Sequence, residues 1–202
     1  MIAAITIILG YLLGSIPMAY IVGRLAKGVD IRKLGDGNMG AANTYREIGH
    51  RAGIGVGVAD VAKGASAMLL AEVAGVGQPI VYLTGVAAVS GHSWPVFLRF
   101  RGGIGASTAG GVLGVLLPRE MSILLAAGTA TLLASGNIIV ASAVLFAPLP
   151  FLAWLFGASW SLIAYAIGLP CLVGFSHFLK AKYRPQPKGA LAPSNGEVRH
   201  LS

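Results

Sequence analysis

The sequence predicts an all-α integral membrane protein with seven transmembrane helices, and three observations carry that prediction. Hydrophobic residues make up 55% and charged residues 11% of the 202-residue chain, with a mean hydropathy of +0.77, whereas soluble domains carry about 25% charged residues. The apolar residues fall in long runs of about 20, the length an α-helix needs to cross a bilayer. If seven runs cross in alternation, all of the 15 lysines and arginines except Lys63 and Arg119 collect on one side, the asymmetry that marks a cytoplasmic face. The N-terminus is therefore expected outside, with the C-terminus and the glycine-rich loops in the cytoplasm. A formal charge of +8 placed in this way belongs to a membrane surface rather than to nucleic-acid binding. Cys171 stands alone in an apolar run, so no intrachain disulfide is possible and packing is its expected role.

Taken in order, residues 2–22 carry no charge, and Pro17 is expected to end or kink this first helix near Gly14-Ser15-Ile16. Residues 30–51, DIRKLGDGNMGAANTYREIGHR, form the one long polar insert. Within it Gly35, Gly37, Gly40, Ala41 and Ala42 let backbone N–H groups approach a ligand, and Arg32, Lys33, Arg46 and Arg51 supply positive charge. That combination suits a phosphate. Residues 52–75 make the second span, in which Asp60 and Lys63 share a helical face and are expected to pair, either as a structural ion pair or at the edge of a site. Gly77-Gln78-Pro79 is a turn, residues 80–98 a third span, and residues 102–118 a short, glycine-rich fourth, with Pro118-Arg119-Glu120 as its far-side turn. No charged side chain occurs from residue 121 to 179, and breaks at Ser135-Gly136-Asn137 and at residues 156–159 divide this stretch into spans 121–134, 138–156 and 160–179. Residues 1–183 then form the membrane domain and residues 184–202 a disordered cytoplasmic tail.

A second polar piece, RFRGGIGAST at residues 99–108, repeats the chemistry of the insert. Arg99 and Arg101 flank Gly102, Gly103 and Gly105, and Ser107 and Thr108 follow at the start of a helix, where unpaired N–H groups favour an anion. Gly110, Gly111 and Gly114 are expected to serve close helix packing instead. The histidines His50, His92, His177 and His200 are scattered, and no metal-ligand spacing, Walker loop or nucleophile elbow occurs. His92, two residues before Trp94, has a structural hydrogen-bonding role as its simplest reading, and His177 alone offers no more.

Three motifs carry a resemblance. Gly14-Ser15-Ile16-Pro17, then Asp30-Ile31-Arg32 followed by GDGNMGAAN, then GHSWPVFLRFRGGIGAST, together resemble the bacterial acyl-phosphate:glycerol-3-phosphate acyltransferase family, the PlsY type, over all but the tail. The resemblance implies an enzyme of phospholipid synthesis in the bacterial inner membrane, active on the cytoplasmic side, expected to work as a monomer without metal or cofactor. Its partners would be acyl phosphate, a phosphorylated or neutral alcohol acceptor and membrane lipid, with no nucleic acid. On matched positions it assigns Asp36, Arg46 and His177 to catalysis. Asn38, Gly40, Asn43, His92, Arg101, Gly102, Gly103, Gly105, Ser107, Thr108 and Lys180 go to substrate binding.

Some positions depart from the family pattern. Asp36 stands where the family has Ser, Ala42 where it has Thr, Ile104 where it has a second Lys, Ser176 and Lys180 where it has Arg and Asn, and Gly136-Asn137 where it has Arg-Tyr. Asp36 is expected to act as a base and to favour a less anionic acceptor, with Lys180 pairing to offset its charge. Two other classes remain open: a catalytically impaired relative that binds phosphate or lipid, and a small transporter built around Asp60 and Lys63. The acyltransferase reading requires the insert and the glycine-rich turn to meet in one cationic cleft containing Asp36 and Arg101.

Overall fold

A computed structural model describes residues 1–182. The tail expected at 184–202 and the domain end at residue 183 lie outside the described residues. Helix α1 (Ile2–Ser15) stops because Pro17 has no N–H and forces Ile16 out of helical geometry, to φ −59 and ψ 116. Helix α2 (Met18–Lys27) resumes at once and ends at Gly28, whose left-handed φ of 70 lets the Gly28 and Val29 N–H groups close on Arg24 and Gly23. The break at Pro17 is thus as expected, but the helix continues past residue 22 through Arg24 and Lys27. The polar insert is not all loop: it holds a single 3-10 turn (Ile31–Lys33) and a short helix α3 (Ala41–Glu47).

Helix α4 (His50–Val73) and helix α5 (Gln78–Ser93) follow, the second opened by a proline in its first turn and closed before Pro95. Helix α6 (Ala106–Leu116) is short, and α7 (Pro118–Ser135) begins directly after Leu117. The expected turn at Pro118-Arg119-Glu120 is therefore the first turn of α7, since proline is well suited to the first helical position and the break falls one residue earlier. Helix α7 ends at left-handed Gly136, and the Asn137 side chain caps α8 (Ile138–Phe146) by accepting from the N–H groups of Ile139 and Val140. Residues 138–155 form one apolar stretch, as expected, but Ala147 and Pro148 interrupt its helix, so α9 (Leu149–Leu155) follows α8 as a separate element. Helix α10 (Trp160–Lys182) runs through Pro170 without ending.

Four helical stretches, Ile2–Lys27, His50–Val73, Ile138–Leu155 and Trp160–Lys182, are long and apolar enough to cross a membrane. Large apolar side chains on their outer faces, among them Ile8, Ile54, Ile139 and Phe175, are exposed. The interior is a cluster that includes Met68, Val89, Val112, Leu113, Leu149 and Leu169. Helices α4 and α6 approach until a Cβ on Gly111 would collide with the Val61 carbonyl, and one on Gly64 with the Thr108 carbonyl. Gly110 and Gly114 face open space, so of the three glycines expected to pack helices only Gly111 does so, because the other two point away from α4. A smaller apolar cluster, Ala19, Ile31, Met39, Ile48 and Val56, seats the polar insert on α2 and α4.

Candidate functional site

The insert is organised by two side chains. Asp30 caps the 3-10 turn, accepting from the Arg32 N–H at 3.1 Å and pairing with the Arg32 guanidinium at 2.7 Å. That guanidinium holds the Asp30 carboxyl below the usual carboxylate range, and the carboxylate raises Arg32 in turn. Asn43, fully buried on α3, closes the loop: its amide oxygen accepts from the Asp36 N–H, and its amide nitrogen donates to the carbonyls of Leu34 at 3.1 Å and Asn38 at 3.0 Å. Asp36 is held at the rim, one carboxylate oxygen accepting the Asn38 N–H at 2.9 Å and the other Arg46 at 2.8 Å.

The glycine-rich turn is tied down from three directions. The Gly103 N–H donates to the His92 carbonyl at 3.0 Å, Ser93 Oγ donates to the Ile104 carbonyl at 3.2 Å, and Lys180 Nζ donates to the carbonyls of Gly102, at 2.9 Å, and Gly103. Gly105, at φ 96, opens α6, and no side chain caps that end, so its first N–H groups are open to an acceptor.

The two polar segments meet at Gly103. A Cβ there would collide with His92 Nε2 and lie 2.6 Å from the Met39 carbonyl, so only glycine permits this approach of insert, turn and α5. Beneath the contact lies a buried polar group: Lys63 Nζ is 3.0 Å from Asp60 Oδ1 and donates to the Ile16 carbonyl at 3.1 Å, and His92 Nδ1 is 3.2 Å from Thr108 Oγ1 and 3.6 Å from Asp60. An ion pair this buried is costly to break, about 3–5 kcal/mol when one partner is removed. Lys63 also satisfies a carbonyl beside the Pro17 break, linking α4 to the α1–α2 joint. A cavity of about 10 Å³, room for about one water, lies here among Ile16, Met39, Asp60, Lys63, His92 and Gly103. A second, outer hollow of about 390 Å³ is lined by Arg32, Phe97, Leu98, Arg99 and Arg101.

The structure therefore brings together Met39, His92, Gly102, Gly103, Gly105, Thr108 and Lys180, with Ser107 in the same first turn of α6 as Thr108. Gly40 opens α3, and Asn38 keeps a buried side-chain oxygen without a hydrogen bond. Asp36 and Arg46 line neither of these two hollows: Asn38 and Arg46 keep the carboxylate on the loop rim, while Arg101 lines the outer hollow. Lys180 reaches the turn carbonyls rather than Asp36, whose carboxylate takes Arg46 instead. His177 is exposed on α10 and takes no part in these hydrogen bonds. Sequence reasoning left Asp60 and Lys63 between a structural and a site-edge role, and their contact with His92 puts them under the junction. Met39 and Ser93 gave no signal, since both act through backbone position or a carbonyl.

A family model for glycerol-3-phosphate acyltransferase matches residues 4–185. A glycerol-3-phosphate acyltransferase 4 of Dehalococcoides mccartyi is 45% identical over 176 residues, covering 87% of this chain and 95% of the relative. The glycerol-3-phosphate acyltransferase of Desulforudis audaxviator is 38% identical over 169 residues, covering 84% and 85%. Among solved structures, the glycerol 3-phosphate form of PlsY, an integral membrane glycerol 3-phosphate acyltransferase, superposes with a TM-score of 0.81 at 31% identity, covering 89% of this chain and 90% of that one. Its lysophosphatidic acid form gives 0.78 at 30% identity.

Proposed function

Because the chain belongs to the glycerol-3-phosphate acyltransferase family, we propose that it transfers an acyl group from acyl phosphate to a hydroxyl of glycerol 3-phosphate, forming lysophosphatidate for phospholipid synthesis. The observation that carries this reading is the contact of the insert with the glycine-rich turn at Gly103 over the buried Asp60–Lys63–His92 group. It joins two phosphate-suited segments, as a reaction between two phosphate-bearing substrates requires. The chemistry is acyl substitution: the acceptor oxygen bonds to the acyl carbon, the bond from that carbon to the phosphate oxygen breaks, and inorganic phosphate leaves.

We assign the open N–H groups at the start of α6 to the departing phosphate, and Arg46 to the phosphate of the acceptor. Arg46 then leaves Asp36 for the phosphate, and Asp36 takes the proton of the acceptor hydroxyl. The seven-span arrangement, N-terminus outside and both polar segments facing the cytoplasm of a bacterial inner membrane, is part of the same proposal, supported by the placement of basic residues.

The test is a phosphate-release assay with purified protein, palmitoyl phosphate and a panel of acceptors, with lysophosphatidate identified as product. Acceptor-dependent release with glycerol 3-phosphate is expected. Release with neutral alcohols alone would reassign the acceptor, and a panel without turnover, combined with ligand-dependent thermal stabilisation, would leave a binding protein on this fold.

A further inference from the structure

Independently of acyl transfer, we propose that the outer hollow binds the headgroup phosphate of an anionic membrane phospholipid, with Arg99 and Arg101 on the phosphate and the lipid tail laid over Phe97 and Phe100. The hollow, about 390 Å³, is much larger than the inner cavity and is lined by three arginines. Arg32 is fixed there by Asp30 at 2.7 Å and by the Tyr20 ring 5.2 Å away, so its charge is already balanced. Arg99 and Arg101 pair with no carboxylate among the described residues, which leaves two positive charges for a ligand to neutralise.

The backbone gives a second and separate indication. Arg99 at φ 52 and Phe100 at φ 60 are the two non-glycine residues with positive φ among the described residues, and they are adjacent. Side chains rarely adopt this conformation, and such outliers persist where surrounding structure fixes them for a purpose. Here the N–H groups of Leu98 and Phe100 both close on the Pro95 carbonyl, and that of Arg101 on Leu98. The resulting turn puts Arg99 and Arg101 on the wall of one hollow and leaves Phe97 58% and Phe100 60% exposed. Exposed phenylalanines beside paired cations suit a ligand with an anionic head and an apolar tail, not a free phosphate ion.

The test is native mass spectrometry of the detergent-purified full chain given equimolar phosphatidylglycerol and phosphatidylcholine. The wild type is expected to retain phosphatidylglycerol preferentially. Arg99→Gly should reduce that preference about fivefold, the effect of one basic group near a lipid phosphate, without lowering Tm, because glycine adopts this φ freely. Arg99→Lys should keep most of it. Arg51→Gln, which removes an exposed arginine outside the hollow, should change little. No preference in the wild type, an unchanged Arg99→Gly, or an equal loss in Arg51→Gln would overturn the proposal. Displacement of the lipid by millimolar inorganic phosphate would also overturn it, in favour of a soluble-anion site. Lipid retention is read without substrate, so its outcome is separate from that of the acyl-transfer assay.

Discussion

Gly103 is one residue in which the site converges, because a Cβ on this turn residue would collide with both His92 of α5 and Met39 of the insert. Gly103→Ala should push His92 or Met39 aside and lower kcat/KM about 10²-fold, the scale of a 1 Å misplacement, while helix content by circular dichroism stays unchanged. Asp36 is a second such point. As the assigned base, its replacement in Asp36→Ala should lower kcat by about 10²–10⁴-fold without loss of Tm, since it sits on a half-exposed rim. A rate equal to wild type would give the proton to the departing phosphate oxygen instead. Asp30 is held below its ordinary range by Arg32, so its stabilising effect is full above about pH 4 and fades as pH falls through the lower folded value. Hydrogen exchange across residues 30–47 should accelerate in that acid window in the wild type, and Asp30→Asn should make the same amides fast already at neutral pH. Of these residues, Asp36 and Asp30 were legible as charges in a glycine-rich loop, and the glycines of the turn as a motif. That Asp36 would be engaged by Arg46 on the rim was not legible, because it depends on the path Asn43 imposes on the loop.

At the scale of helices, the crossing of α4 and α6 depends on one glycine from each. Gly111→Ala should lower Tm measurably, since its Cβ would meet the Val61 carbonyl backbone, whereas Gly114→Ala, facing open space, should raise stability by about 0.4–1 kcal/mol. Thermal unfolding in one detergent, monitored for both variants, decides this. Equal shifts would mean that the two helices separate at no cost. The sequence announced breaks at Pro17, Gly136 and Gly157, where a glycine or proline stood between apolar runs. It did not announce α3, whose seven residues fold only because Asn43 and the small apolar cluster hold them against α2 and α4. The interruption at Pro148 had a signal in the residue itself, overridden by the length of the apolar run.

For the whole molecule, membership of the acyltransferase family was legible from three motifs, while the partition into an inner cavity and an outer hollow was not, because it arises from contacts between residues far apart in sequence. The proposed orientation is open to direct measurement. In a Cys171→Ala background, Arg46→Cys and Arg99→Cys should both react with an impermeant maleimide only from the cytoplasmic side, and Arg119→Cys only from the other. Labelling of the first two from opposite sides would dismantle the shared site. Helix α6, with 11 residues, is about 16 Å long at 1.5 Å per residue, roughly half the hydrocarbon thickness of about 30 Å. In the proposed arrangement a helix that short, ending at the far side, must start near mid-depth. The reacting carbonyl of an oily donor then need not be lifted out to the water: the polar partner descends through a notch in the leaflet to reach it, and how far it descends is set by the number of turns in α6.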